Sequence, residues 1–86
     1  MRWFVSLLNE SGNEAVGSFG NVVIDGRLSR DNAENEAHRI LSRERKVSPW
    51  YVGFSLQRGS RWSDCKEVKR FMMHPDSINA LKEMRS

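Results

Sequence analysis

The 86-residue chain has one cysteine, two prolines, two histidines and no long apolar run. A lone Cys65 excludes an internal disulfide framework, and a cytoplasmic location is the expectation. No segment reaches the ~18 apolar residues a membrane-spanning helix needs. The opening residues Met1-Arg2-Trp3-Phe4-Val5-Ser6-Leu7-Leu8 carry one positive charge, a short apolar stretch and no small-residue cleavage site. A secretory signal is therefore not expected. The chain also lacks GxxxxGK[ST], GxGxxG, HExxH and CxxC patterns. Each of these would have supplied a phosphate cradle or a metal-ligand set.

What is present describes a folded chain: 38% apolar, 29% charged and 9% aromatic residues, with a mean hydropathy of −0.63. A length of 86 residues makes one domain, residues 1–86, with a single core. The formal charge of +3 is unevenly placed. Residues 1–26 are acidic on balance, through Glu10, Glu14 and Asp25. Residues 27–46 and 47–75 are basic, the latter through Arg58, Arg61, Lys66, Lys69 and Arg70. Such a surface attracts phosphate backbones or acidic protein patches, or is simply a solvated face.

Arg2–Leu8 alternates apolar residues on both faces and reads as a central strand. The turn-forming run Asn9–Asn13 leads to a second extended piece, Ala15–Asp25, whose Gly17 and Gly20 suggest a bulge or a close backbone approach. A helix is expected over Ser29–Lys46. Ser29 is its N-cap, Ala33, Ala37, Ile40 and Leu41 form its buried stripe, and Arg43, Arg45 and Lys46 favour its negative C-terminal end. Pro49 stops it. On the helical wheel Arg39, Arg43 and Lys46 share one flank, and Glu34, His38 and Arg45 the other. Trp50–Gln57 alternates cleanly, with Trp50, Val52, Phe54 and Leu56 pointing to the core. After the turn Arg58-Gly59-Ser60, a fourth strand is expected over Arg61–Met73. Asp76 then caps a short helix carrying Ile78, Leu81 and Met84. The fold class is α+β: an antiparallel four-stranded sheet packed on one main helix, in the order ββαββα, with a short C-terminal helix.

The residues able to do chemistry are few. Glu34 and His38 lie four apart on the helix, where such pairs are ordinary surface contacts. Cys65 could pair with a histidine as a nucleophile, but reads better as a structural thiol. Asp64 and Glu67 are spaced for opposite faces of a strand, so they form no dyad. No enzyme, metal or cofactor is expected. Recognition is better supported, because aromatic and basic residues gather on the second hairpin, where rings and charges favour interfaces. The expected binding residues are Arg58, Arg61, Trp62, Lys66, Lys69 and Arg70, with Arg39, Arg43 and Lys46 from the helix flank. Trp62 either caps the sheet edge or reaches out to a partner.

The run Arg58-Gly59-Ser60-Arg61-Trp62-Ser63-Asp64-Cys65 after an alternating strand resembles the C-terminal hairpin of a small phage-encoded anti-CRISPR protein acting on type I-F complexes. Gly59, Arg61, Trp62, Asp64 and Cys65 match, and Leu28-Ser29 more loosely, over about a quarter of the chain. The tail from Phe71 to Ser86 and the N-terminal hairpin have no counterpart. The resemblance implies an inhibitor that binds a host protein or ribonucleoprotein stoichiometrically in the host cytoplasm. Direct nucleic-acid binding is the alternative, and no membrane is involved. The acidic residues Glu10 and Glu14 offer a second candidate surface.

Overall fold

The computed structural model describes residues 1–13 and 22–85. Within them the elements are β1 (Arg2–Leu8), β2 (Val22–Ile24), α1 (Arg30–Arg45), β3 (Gly53–Gly59), β4 (Lys66–Met72) and α2 (Pro75–Arg85). The strands make one antiparallel sheet ordered β2-β1-β3-β4. The fold is thus α+β, with a four-stranded antiparallel sheet and two helices. Most of the strand expected over Ala15–Asp25, including Gly17 and Gly20, lies outside the described residues, as does Glu14.

α1 forms where its sequence is locally consistent. The Ser29 hydroxyl accepts a hydrogen bond from the Asn32 amide at 3.2 Å, Asp31 sits in the first turn, and Arg43 and Arg45 sit in the last. Its stripe of Ala33, Ala37, Ile40 and Leu41 is buried against Trp3, Val5, Leu7, Ile24, Phe54 and Leu56. The two alanines leave room for the large side chains of the sheet. Full burial of a leucine or isoleucine there stabilises by about 1.5–3 kcal/mol.

β1 and β3 are central and buried on both faces. On the face away from α1, Ser6 and Ser55 stand opposite each other and are 4% and 5% exposed. Their hydroxyls are satisfied by a chain of side chains. Gln57 donates from Nε2 to Ser6 at 3.0 Å, Ser55 donates to Glu67 at 2.7 Å, and Arg70 donates to Glu67 at 2.8 Å. Arg70 also donates to the Gly12 carbonyl at 2.9 Å, which ties the first turn to β4. Buried hydroxyls bonded in this way cost little.

Three expectations need correction. The strand expected from Trp50 begins at Gly53, and Trp50 is 56% exposed. The chain is still turning there: the Tyr51 amide bonds the Ser48 carbonyl, so alternation counted backwards from Phe54 fails and Tyr51 joins the core instead. The other face of that strand, with Tyr51, Gly53, Ser55 and Gln57, is expected from alternation to meet solvent or a partner, but Ser55 is 5% exposed, covered by the linked side chains of Gln57, Glu67 and Arg70. Finally, residues 60–65 form a turn, so β4 starts at Lys66 and not at Arg61.

The last helix also differs in detail. Asp76 lies inside its first turn rather than at the cap, and the Asp76 amide donates to His74 Nδ1 at 3.2 Å. Ile78 is buried, whereas Met84 is 82% exposed. The side chain of Leu81 lies outside the described residues.

Candidate anion-binding surface

Antiparallel pairing brings the start of β1, the end of β2, the end of β3 and the start of β4 to one end of the sheet. Trp3 is opposite both Ile24 and Arg58, and Arg58 is opposite Lys66. Residues far apart in sequence therefore meet there: Arg2, Arg27, Arg58, Arg61 and Lys66, against Asp25 and Asp64. On the β2–β1–β3 side of this end lies an open concavity of about 460 Å³, lined by Met1, Arg2, Val23, Ile24, Asp25, Gly26, Arg27 and Arg58, with Arg61, Asp64 and Lys66 outside its lining.

Each wall has a local cause. Gly26 is pressed against the chain start, where any Cβ would fall 1.7 Å from the Met1 carbonyl oxygen. That close approach closes the wall. Arg58 lies over the Trp3 ring, with its guanidinium carbon 4.4 Å from the ring centroid. Trp3 is itself fixed, donating from Nε1 to the Leu28 carbonyl at 3.1 Å. Arg58 Nη1 is shut off from solvent and has no hydrogen-bond acceptor among the described residues.

The two carboxylates are already committed. Asp25 bonds the Arg27 side chain at 3.1 Å, and that guanidinium holds its carboxyl below the ordinary aspartate value. Asp64 is held low first by the Arg61 amide, with the Ser60 amide adding to it, and these bonds also shape the 60–65 turn. Arg2, Arg58 and Lys66 form no ion pair among the described residues. Arg58 and Lys66 directly face each other across the β3–β4 pair. Like charges so placed repel. The positive charge at this end is therefore largely uncompensated.

The remaining expected binding residues are distributed as follows. Arg61 is exposed and 3.8 Å from Asp64. Trp62 is half-buried, its ring packed on Phe4 at 4.7 Å between centroids, so it covers the sheet rather than reaching out. Lys69 lies 4.0 Å from Glu34 of α1, on the flank where His38 packs edge-on against Phe54 and Phe71. Arg70 belongs to the Ser55–Glu67 chain on the other face. Arg39 pairs with Glu36 and Arg43 with Glu44. They line a second concavity with Leu28 and Ile40, which shares Val23, Ile24 and Asp25 with the first. The helix flank thus adjoins the arginine-lined end through β2, while Lys69 and Arg70 sit by the opposite edge. Lys46 is exposed at the C-cap of α1.

Arg2 and Arg27 were not expected at the site. Only strand pairing brings them to Arg58, and no local pattern signals that. Cys65 is half-buried, its thiol 2.9 Å from Gln57 Oε1 and 3.3 Å from the Trp62 carbonyl, which secures the turn. No family model, characterised protein or solved structure matches the chain.

Proposed function

We propose that this chain is a non-enzymatic binding protein that inhibits a larger host assembly, protein or ribonucleoprotein, by covering an anionic surface on it. The observation that carries the reading is the set of Arg2, Arg58 and Lys66, gathered at one sheet end and in no ion pair among the described residues. Holding like charges together costs stability, and an anionic partner converts that cost into affinity and a fast association rate. On this reading the ββαββα arrangement on one main helix is a rigid frame, and the activity is occupancy rather than turnover. The hairpin resemblance supports an anti-CRISPR-like, phage-encoded inhibitor acting in the host cytoplasm.

The test is affinity capture from bacterial lysate, run with and without nuclease, comparing the native chain with an Arg2→Gln/Arg58→Gln/Lys66→Gln variant of unchanged circular dichroism. Native protein retaining a stoichiometric partner that the variant loses supports the reading. Equal capture by both, or none by either, overturns it.

A further inference from the structure

Resting on that reading, we infer that the anionic group seated at the concavity is the phosphodiester backbone of RNA, contacted without base stacking. Three features of this end point to a backbone. First, its rings are engaged internally: Trp3 is 5% exposed beneath Arg58, and Trp62 lies on Phe4. A single-strand binder that reads bases presents free aromatic faces, whereas Trp3 is buried and half-buried Trp62 is packed on Phe4. Second, the unpaired cations are spread over three adjacent strands, Arg2 on β1, Arg58 on β3 and Lys66 on β4. Strands lie ~4.8 Å apart, so the positive charge forms a row rather than a point. A row suits a repeating polyanion better than one carboxylate, which a single arginine fork would satisfy.

Third, the concavity takes in cations from both sides of the sheet. Arg58 is on the face packed on α1, with Lys66 opposite it on β4 just outside the lining, while Arg2, opposite Gly59, starts on the other face. The concavity opens at the sheet end, where it is lined by both Arg2 and Arg58. A flexible strand can pass over such an end. Arg58 acts as a fixed charge: its stack on Trp3 and its shielded Nη1 place it in a low-dielectric wall, where its field on a bound phosphate is strengthened.

The experiment is fluorescence anisotropy of a short labelled oligouridylate across a salt series. The native chain is compared with Arg58→Gln/Lys66→Gln and with Arg2→Gln/Lys66→Gln, which leaves the Trp3 stack untouched. Lys82→Gln, at the other end of the sheet, is the control. Expected are steep loss of affinity with salt, a log–log slope lowered by about 1.4 in each double variant, and no change in the control. Absence of RNA binding near 50 mM salt, or an equal slope in all variants, overturns the inference. If RNA fails while nuclease-resistant capture still depends on Arg58, the group is an acidic protein surface and the binding reading survives alone. If pyrophosphate shifts the Gly26 amide resonance but RNA does not bind, the site takes a free phosphate and the inference fails. Failure of RNA binding and capture together removes both.

Discussion

Phe4 of β1 and Trp62 of the β3–β4 turn pack ring on ring, with centroids 4.7 Å apart and planes tilted by 57°. The turn is thereby folded back onto the face of the sheet that α1 does not cover. Trp62→Ala should destabilise the chain by about 2–4 kcal/mol, since a partly buried indole and its ring partner are both lost. Trp62→Phe should recover much of this. A double-mutant cycle with Phe4→Leu in chemical denaturation measures the coupling, expected near 0.5–1.5 kcal/mol. Zero coupling would mean that Trp62 stabilises by some other contact.

Leu41 tests the packing of α1. It is 4% exposed within the core cluster. Leu41→Ala should cost about 2–5 kcal/mol by urea titration, with the slope of the transition unchanged. A cost under about 0.5 kcal/mol would place Leu41 off the packed face.

The helix was legible because its signals are local. Ser29, the Ala33–Ala37–Ile40–Leu41 spacing and the terminal arginines all lie within a few turns of one another. Trp50 misled for the opposite reason: an alternating pattern cannot show where a turn ends, and the count ran through Tyr51 into residues that are not strand. The site was half legible. Arg58, Arg61 and Lys66 are neighbours in sequence and were visible as one basic hairpin. Arg2 and Arg27 join them only through the pairing of β1 with β2 and β3, which is long-range information. Trp62 was recognised as unusual, but only the contact with Phe4 decides between covering the sheet and meeting a partner.

Two glycines should respond differently to alanine. At Gly59 the obstacle is space: a Cβ would lie 2.5 Å from Cys65 Cα and 2.8 Å from Cys65 Cβ. Gly59→Ala must push the turn away from β3, at a cost of about 1–3 kcal/mol. At Gly12 the obstacle is conformation: φ is +80°, while the nearest atom to a Cβ, Arg70 Nη1, is 3.5 Å away. Gly12→Ala should cost about 1–2 kcal/mol, and Gly12→Asn less, because asparagine tolerates left-handed backbone. Thermal melts of the three variants separate the causes. If Gly12→Asn is no better than Gly12→Ala, backbone conformation is not what the position demands.

Glu67 couples the sheet to pH. The Ser55 hydroxyl first, and Arg70 second, hold its carboxyl below the ordinary glutamate value of 4.5. A carboxyl lowered in the folded state stabilises that state above its unfolded value. The contribution is lost as pH falls through the lower folded value. Because the side chain is 41% exposed, screening limits the effect to about 0.2–1 kcal/mol. Glu67→Gln should therefore be less stable than the native chain near neutrality, and the gap should close as pH falls below the ordinary glutamate value of 4.5 and through the lower folded one. The comparison isolates Glu67, because Asp25, Glu36 and Asp64, also held low, titrate equally in both proteins. Denaturation at several pH values gives the difference directly. A gap that stays constant into acid would show that the loss comes from the altered hydrogen bond to Ser55 and not from the charge of the carboxylate.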